Sequence, residues 1–553
     1  MTVPIRSGLL ALAVLAAAPA FAQTPARRSA RTSTRAAARP VTVRTPTADA
    51  DPALVQRYQA TITPAELAGH LYVYADDFMA GRDTGAPAQR FAARYLAGQY
   101  QAMGVAPRGS GVAASPYALD GYLQPFMLEQ STLRSLTVTA TRGGQTIATS
   151  TIRPDSTSGA LLVPAYGQIT DASPARVVYV GTADSFGGLD LTGAYAIASP
   201  GSATDPADQA ATQVRLAALG AAGVRGVILG VAPTAAALAP QAARAFRGGR
   251  LALPEVAGTD SEDGGLPPIL LTGQDVVAQM LSGTPLQSAG TPQPTNVMLS
   301  VASERETVQV QTENVVAVVP GSDLASEFVI VSAHLDHIGV DATPTEGEDA
   351  IFNGADDDGT GTVALLEIAE AFRQASLDGH GPRRSVLFLH VTGEEKGLLG
   401  SEYFADREPL VPLASIAADL NIDMIGRHDP TYDGAASPYV YILGAELIST
   451  ELDAINARVN TETGLGIDLS KRFNSADDPN QFFRRSDHWN FGKHGIPFIF
   501  YFTGTHEDYH GVGDEPSKID YDRQASIARL VFGTAWQVAN QDARPAVSGT
   551  GFN

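Results

Sequence analysis

The sequence contains no cysteine among its 553 residues. No thiolate can therefore act as a nucleophile or a metal ligand, no disulfide can form, and no lipidated cysteine can anchor the chain. Basic residues are also few, because 38 Lys and Arg stand against 59 Asp and Glu, for a formal net charge of −21. A broad nucleic-acid-binding surface is therefore not expected. No G-x-S-x-G motif occurs, which disfavours serine hydrolase chemistry.

The first 22 residues have the pattern of a secretion signal. Arg6 supplies a positive charge, an apolar run extends from Leu9 to Ala18, and Ala20-Phe21-Ala22 forms a small-x-small cleavage site. Because this run is too short to span a bilayer, a cleaved signal peptide over residues 1–22 is predicted, with no membrane anchor after cleavage. Residues 23–50, rich in Ala, Arg, Thr and Pro, predict a flexible leader. We expect a secreted or periplasmic protein.

The full sequence is 44% hydrophobic, which is typical of a globular protein. Composition and periodicity divide the chain after residue 50 into several regions. Residues 51–130 predict helices. Residues 131–300 hold short β-type runs among Gly, Ala, Thr and Pro, and predict a separate small β-rich module without catalytic chemistry. Residues 301–541 alternate strands with helices, and residues 542–553 predict a C-terminal tail.

The alternation after residue 301 predicts the fold class. The expected strands are Phe328–Ala333, Ser385–Val391, Ile416–Met424 and Ile496–Phe502, and the expected helices are Thr362–Ala375, Leu398–Arg407, Glu446–Thr461 and Arg523–Ala539. Nearly continuous apolar strands that alternate with helices indicate an α/β fold, with a mainly parallel mixed sheet flanked by helices on both faces. In such sheets, ligands bind beyond the carboxyl ends of the strands.

Acidic and histidine side chains, together with one tyrosine, lie at the end of each of these strands or directly after it. In chain order they are His334, Asp336 and His337, then Glu394 and Glu395, then Asp423, and finally His506, Glu507, Asp508, Tyr509 and His510. An Asp-rich loop, Asn353 to Gly361, precedes the first helix. Oxygen and imidazole ligands without sulfur suit zinc in a catalytic site, or manganese or cobalt. Five ligands that share one carboxylate would serve two metal ions.

Each of these signals is weak by itself. A single His-x-Asp is seldom a metal ligand, an adjacent Glu pair usually lies in a solvated loop, and Asp356–Asp358 usually marks a turn before a helix. Their joint occurrence at successive strand ends favours a metal site. Residues 506–510 also fit the helical zinc signature H-E-x-x-H, but the glycines around them disfavour a helix, so we interpret that match as accidental.

With these residues in place, the chain resembles the M28 family of co-catalytic zinc peptidases, of the bacterial aminopeptidase type with an inserted protease-associated (PA) domain. The similar motifs, in chain order, are Asp76–Arg82 with Gly85, His334-Leu335-Asp336, Asn353–Gly361, Thr392–Ser401, Asn421–Met424 and Asp508-Tyr509-His510. Val177 to Leu229 is similar to the PA insert. The resemblance therefore implies that residues 51–130 and 301–541 are the N-terminal and main parts of a peptidase domain, and that residues 131–300 are a PA-like insert. The segment Arg485-Ser486-Asp487-His488 is also family-like, and we assign it support of the site only.

The resemblance implies a set of metal ligands. One zinc would lie on His334 and Asp423 and a second on Glu395 and His510, with Asp357 bridging the two. Asp356 and Asp358 are the alternatives if the register of the Asp-rich loop differs.

The resemblance also implies the roles of three further residues. Asp336 would orient His334 and raise its basicity. Glu394 would be the general base that takes a proton from the water activated between two zinc ions. Tyr509 would give a hydrogen bond to the tetrahedral oxyanion.

The function that these expectations describe is an exported metallo-aminopeptidase acting on peptides. A carboxypeptidase-type member of the family is one alternative. A second is a glutaminyl cyclase-like enzyme with a single zinc, and a third is a receptor-like relative that binds a protein partner through its PA module. Retention of all five expected ligands argues against the second and third.

Overall fold

The computed structural model describes residues 51–549, except residues 116, 158, 170, 201–205, 247–248, 255–265, 283–290, 342–343, 345–346, 435–437, 476–477 and 479. The predicted signal peptide and leader lie outside the described residues, as do the last four residues of the predicted tail. Within the described part of the chain, no helix combines the length and the apolar character needed to cross a membrane.

The described residues form two compact units. The insert unit is Glu129–Gln309, and the main unit consists of residues 51–128 together with residues 310–549. The chain enters and leaves the insert unit within long strands. The assignment of the insert to the PA type stays a prediction.

Helices and strands alternate along both units. The α-helices are α1 (Pro52–Gln59), α2 (Pro64–Tyr74), α3 (Pro87–Met103), α4 (Pro206–Ala221), α5 (Ala239–Ala245), α6 (Gln274–Leu281), α7 (Gly361–Leu377), α8 (Leu399–Glu402), α9 (Ala445–Ile448), α10 (Thr450–Glu462), α11 (His488–Gly492) and α12 (Tyr521–Asn540). The strands are β1 (Ala106–Pro107), β2 (Leu123–Arg142), β3 (Gln145–Ile152), β4 (Val163–Tyr166), β5 (Ala175–Gly181), β6 (Tyr195–Ala198), β7 (Gly226–Ala232), β8 (Arg250–Ala252), β9 (Ile269–Gly273), β10 (Gln293–Val319), β11 (Leu324–His334), β12 (Arg384–Val391), β13 (Ile416–Ile422), β14 (Tyr439–Gly444), β15 (Asp468–Ser470) and β16 (Phe498–Phe502).

The sheet of the main unit has the order β15-β14-β16-β13-β11-β12-β10. Its four central strands, β12, β11, β13 and β16, are all parallel to their neighbours within this group. Strands β10 and β14 flank them in antiparallel orientation. This arrangement confirms the predicted α/β class with a mainly parallel sheet, and it brings the carboxyl ends of the four central strands to one edge.

The two faces of this sheet pack against different groups of helices. In β11, Val329, Val331 and Ala333 join the large core that includes buried residues of α7 and α12, whereas Ile330 packs in a second core with Phe404 and Phe491. Side chains alternate between the faces of a strand, so each face of β11 is apolar and buried. Both faces are therefore covered, as the continuous apolar runs predicted.

The insert unit has its own hydrophobic core. Strands β5, β6, β7 and β9 pair in parallel, and β4 pairs with β9 in antiparallel orientation. Strands β2 and β3 form a hairpin in which Arg142 pairs with Gln145 across Gly143 and Gly144. Both glycines have positive φ, of 56° and 79°, which a two-residue hairpin turn requires.

Several element boundaries differ from the sequence predictions. Residues 51–130 are not helical throughout, because β2 begins at Leu123. The strand predicted over Ile416–Met424 ends at Ile422, so Asp423 lies just beyond it. The helix predicted over Glu446–Thr461 is interrupted at Ser449, whose side chain caps α10 by accepting the N–H of Leu452. Hydrophobic periodicity does not report helix caps or strand ends, so the sequence did not predict these boundaries.

Candidate metal centre

The five expected ligands all lie at the carboxyl edge of the main-unit sheet. His334 is the last residue of β11, and Asp423 follows β13 directly. Glu395 lies in the loop after β12, and His510 lies in the turns after β16. Asp357 lies in the loop that leads into α7. Parallel strands whose carboxyl ends share an edge bring together residues that are 176 positions apart in the sequence.

Three of these side chains surround a first point. His334 Nε2 lies 3.1 Å from Asp357 Oδ1 and 3.6 Å from Asp423 Oδ1. All three residues are buried. Around a zinc ion that holds its ligands at about 2.0–2.1 Å in a tetrahedron, ligand atoms lie about 3.3 Å from one another. The observed separations fit that requirement.

The other oxygen of Asp357 faces a second point. His510 Nε2 lies 3.1 Å from Asp357 Oδ2 and 3.3 Å from Glu395 Oε2. These separations also match the edges of a zinc coordination sphere. Asp357 therefore stands between two groups of ligands with one oxygen toward each, which is the position that the resemblance assigns to the bridging carboxylate.

Buried polar atoms at this centre support the fit to metal ions. Within the described part of the chain, His334 Nε2, Asp357 Oδ2 and Asp423 Oδ1 make no hydrogen bond. The same is true of Glu395 Oε1. Buried polar atoms are costly unless they are paired or coordinate a metal. Imidazole and carboxylate donors without sulfur form a set that zinc accepts.

The two aspartates next to Asp357 in the loop, Asp356 and Asp358, accept hydrogen bonds from backbone N–H groups. Asp358 accepts the backbone N–H groups of His334, Gly361 and Met424. Although its carboxylate lies close enough to His334 and Asp423 to form a group of potential ligands, those three amides already hold it. Asp356 accepts the N–H of Gly426 at 2.7 Å. The geometry therefore favours Asp357 over both register alternatives as the bridge.

Asp514 holds the Asp-rich loop from behind. Its carboxylate accepts the backbone N–H groups of Asp356 and Asp357 at 3.0–3.1 Å, and it is fully buried. Carboxylate to N–H hydrogen bonds are stronger than neutral ones. Sequence reasoning missed this residue, since no local pattern marks an acid that binds backbone amides far away in the chain.

The electrostatics of the centre favour positive charge. Burial alone would lower the pKa of His510, but pairing with Asp357 and Glu395 outweighs burial and raises that pKa to about 10. Burial would likewise raise the pKa of Glu395, and Asp357 adds to this, yet His337 and His510 hold it at about 2. The clustered carboxylates thus attract cations, and divalent metal ions would supply the charge that protonated histidines otherwise supply.

Glu394 and Asp336 lie beside the ligands. Burial, reinforced by Glu395 and Asp423, raises the pKa of Glu394 well above its usual value despite His334. The carboxylate of Asp336 accepts the backbone N–H of Glu394 at 3.2 Å. Asp336 was also expected to orient His334 through its carboxylate. Instead, His334 Nδ1 lies 3.1 Å from the backbone oxygen of Asp336 and 3.9 Å from the Asp336 carboxylate. The carbonyl oxygen, rather than the carboxylate, is the hydrogen-bond partner of His334.

An open cleft adjoins the expected ligands. Its lining includes the polar residues Asp357, Glu394, Asp423 and His510 and the apolar residues Met424, Phe482, Phe500 and Phe502. Small-molecule sites typically combine apolar side chains with a few convergent polar groups.

Tyr509 and the family-like segment at residues 485–488 also lie at this cleft. The Tyr509 ring stacks on His510 at 3.9 Å between ring centroids, and its hydroxyl accepts a hydrogen bond from Arg485 at 3.3 Å. Ser486 donates to Asp423 Oδ2 at 2.8 Å and so supports a ligand directly. Tyr509 therefore lines the cleft, and the Arg485 guanidinium orients its hydroxyl.

Histidine 337 also belongs to this centre, although sequence reasoning gave it no role. Its Nδ1 lies 2.8 Å from Glu395 Oε1 and 3.9 Å from Asp357 Oδ2, and the ring is fully buried. The signal that could have found it is its position three residues after His334, in the loop that leaves the same buried strand.

The H-E-x-x-H match is not a helical zinc signature in this fold. Residues 507–510 are turns, and the two histidines point to different partners. His506 Nε2 lies 3.3 Å from Asp356 Oδ2, whereas His510 faces Asp357 and Glu395. The interpretation of the match as accidental agrees with this geometry.

Comparison with known proteins identifies the family of the main unit. Residues 314–535 match the family model for peptidase family M28. A probable zinc metalloprotease of Pyrenophora teres f. teres (strain 0-1) is 26% identical over 284 residues, which are 44% of this chain and 55% of that protein. A probable leucine aminopeptidase 2 of Aspergillus oryzae (strain ATCC 42149 / RIB 40) is 31% identical over 220 residues, which are 39% of this chain and 38% of that protein. The chain therefore spans about half, or less, of the length of these curated relatives.

A solved structure shares the fold over most of the chain. The aminopeptidase from Aneurinibacillus sp. strain AM-1 aligns with a TM-score of 0.51 and 17% identity, over 90% of this chain and 99% of that one. At this identity the likeness establishes a common fold. Together with the family match, the sheet order and the ligand-rich edge, it leads to one conclusion: residues 314–535 belong to peptidase family M28.

Proposed function

We propose that this protein is an exported zinc aminopeptidase that hydrolyses N-terminal residues from peptides. The observation that carries the proposal is the position of Asp357, whose two carboxylate oxygens each lie 3.1 Å from a different histidine. A carboxylate placed in this way can be shared by two metal ions. Membership of a peptidase family gives the reaction class for such a centre.

The residues present fit two zinc ions. His334, Asp423 and Asp357 Oδ1 would hold one, and Glu395, His510 and Asp357 Oδ2 would hold the other. Bound there, zinc would supply Lewis acidity and make hydroxide available near neutral pH, and manganese or cobalt could substitute.

Glu394 would be the general base of this reaction. It lines the cleft together with Asp357 and Asp423, and it is not one of the expected ligands. Burial is the main cause that raises its pKa above the usual value, and such a shift suits a group that accepts a proton and later donates it to the leaving amine. Tyr509 stands on the same cleft and would donate a hydrogen bond to the oxygen on which negative charge develops.

The apolar residues that line the cleft indicate which substrates to test first. Met424, Phe482, Phe500 and Phe502 would surround the side chain of the N-terminal residue. Burial of apolar surface is favourable, so leucine and phenylalanine derivatives should be better substrates than aspartate or lysine derivatives.

A substrate panel tests the proposal. Chromogenic aminoacyl derivatives and N-blocked peptides are incubated with the full chain, with and without a chelator, and metal content is measured in parallel. Chelator-sensitive cleavage of the free-amine derivatives alone is expected, together with two zinc ions per chain. Cleavage of the N-blocked peptides alone would replace the aminopeptidase by a carboxypeptidase-type enzyme. One zinc per chain with cyclisation of N-terminal glutamine would replace it by a glutaminyl cyclase-like enzyme.

Export is tested separately. The signal-peptide pattern over residues 1–22 supports it, and N-terminal sequencing of protein recovered from outside the cytoplasm should begin at Gln23. Recovery of protein that retains Arg6 would contradict cleavage after Ala22.

A further inference from the structure

Thr84 connects the N-terminal part of the main unit to the loops of the metal centre. It lies outside residues 314–535, the part of the chain that matches the family, and it is 4% exposed. Its hydroxyl donates a hydrogen bond of 2.6 Å to Asp336 Oδ2. The other oxygen of that carboxylate, Oδ1, accepts the backbone N–H of Glu394 at 3.2 Å. A continuous chain of hydrogen bonds thus runs from Thr84 through Asp336 to the backbone of Glu394.

The methyl group of Thr84 lies beside the same loop. It borders the space that a side chain at Gly393 would enter, because a Cβ atom added there would lie 3.5 Å from Thr84 Cγ2. Gly393 has a φ of +71°, in the region that favours glycine, and it directly precedes Glu394. Thr84 therefore donates to the carboxylate that binds the Glu394 amide, and its methyl group lies beside the glycine that precedes Glu394.

Neighbouring residues tie the same loops together. Asp83 pairs with Lys396, two residues after Glu394, at 2.7 Å. The carbonyl of Arg82 accepts the backbone N–H of His337 at 3.3 Å. The segment at residues 82–84 is thus held between the loop that follows β11 and the loop that follows β12, and it cannot shift without moving one of them.

We propose that Thr84 is a positioning residue that, through Asp336, fixes the backbone of Glu394 and thereby aims its carboxylate into the cleft. The inference rests on the proposed role of Glu394 as general base. Without the Thr84 hydroxyl, the Asp336 carboxylate loses the contact that sets its orientation and is free to turn toward His334 Nδ1, 3.9 Å away. The Glu394 amide then loses its acceptor, and the base loses its alignment.

Two substitutions separate the hydroxyl from the methyl group. Thr84→Val keeps the shape and removes the hydroxyl, whereas Thr84→Ser keeps the hydroxyl and removes the methyl. With an aminoacyl chromogenic substrate, we expect kcat of Thr84→Val to fall about tenfold or more with KM within about twofold, and kcat of Thr84→Ser to stay within about threefold of the parent. Both variants should bind as much zinc as the parent. Equal losses in the two variants, an unchanged kcat in Thr84→Val, or loss of zinc from it would each overturn the inference.

Hydrogen exchange tests the same contact without turnover. In the full chain as purified and without substrate, the amide of Glu394 should exchange about tenfold faster or more in Thr84→Val than in the parent or in Thr84→Ser, while the amide of Val331 in β11 keeps its rate. Equal rates for Glu394 in all three proteins would overturn the positioning role, whatever the activity. If Thr84→Val does not fold, Thr84→Ala replaces it in both measurements. Absence of parent turnover on every substrate would overturn the proposed function alone and leave the exchange result standing.

Discussion

Substitution of Arg82 by methionine should strongly destabilise the main unit. Arg82 is fully buried, and its guanidinium donates four hydrogen bonds to backbone carbonyl oxygens. The acceptors are Leu335 at 3.1 Å, Tyr74 at 3.2 Å, Asn353 at 2.6 Å and Gly354 at 2.8 Å. One side chain therefore joins the loop after β11 to the loop that carries Asp357.

The size of the effect follows from these contacts. Each hydrogen bond from a charged donor contributes about 1.5–3 kcal/mol, so four sum to roughly 6–12 kcal/mol. Removal of the guanidinium also recovers the cost of burying a cation, which is several kcal/mol. We therefore expect the free energy of unfolding to fall by about 3–5 kcal/mol, a large part of the total stability of a typical domain. Zinc affinity should fall as well, since Leu335 lies between His334 and Asp336.

Tryptophan fluorescence during urea unfolding measures this effect in the main unit alone. The chain has two tryptophans, Trp489 and Trp536, and both lie in the main unit. Arg94→Met is the matched control, because Arg94 pairs with Asp120 at 3.3 Å and its side chain is 51% exposed. Such surface pairs contribute about 0–1 kcal/mol. A loss below about 1 kcal/mol for Arg82→Met, or one equal to that of the control, would refute the reasoning.

Four further substitutions test the centre and its surroundings. Glu394→Gln should keep both metal ions and lose several orders of magnitude in turnover; metal loss with unfolding would instead make Glu394 structural. His510→Ala should bind less zinc by elemental analysis, and full occupancy would remove His510 from the ligand set. His337→Gln should weaken zinc binding about 10–100-fold in chelator competition, and parent-like affinity would contradict a role for His337 at the centre. Burial, only partly opposed by a hydrogen bond from Ser332, raises the pKa of Asp419 to about 8. The folded chain then holds a proton that the unfolded chain releases, so this group should lower the free energy of unfolding by up to about 1.4 kcal/mol per pH unit from about pH 4 to pH 8. Asp419→Asn should lack that slope in urea titrations, and equal pH dependence of both proteins would contradict it.

The position of Asp357 has a consequence for how the centre is assembled. Its backbone N–H binds Asp514, its two oxygens face His334 and His510, and the loop around it is fixed by Arg82. Contacts from elements far apart in the chain thus set one carboxylate. Loss of the Asp514 contact or of the Arg82 contacts should change the separation of the two expected ligand groups rather than remove a ligand.

Sequence patterns predicted some strands of the main unit and missed others. Strands β11, β12 and β16 were predicted because each contains an apolar run that is buried on both faces. Strand β14 was not predicted, although all six of its residues are buried. Strand β10 was also missed as a single element, because its 27 residues include a long exposed stretch that carries no core pattern.

The sequence by itself determined the class of the fold and the chemical character of the centre. Apolar runs of strand length that alternate with amphipathic helices require a sheet covered on both faces, and the residue types at the strand ends leave few choices of chemistry. The absence of cysteine narrowed the ligands to imidazole and carboxylate groups.

Only the tertiary structure decided which of these residues work together. The position of His337 beside Glu395 and the contacts that Thr84, Arg82 and Asp514 make all join residues that lie far apart in the sequence. Local sequence reports the conformation of a few neighbouring residues, whereas a coordination site or a buried hydrogen bond depends on distances of a few ångströms that the packing of the whole unit sets.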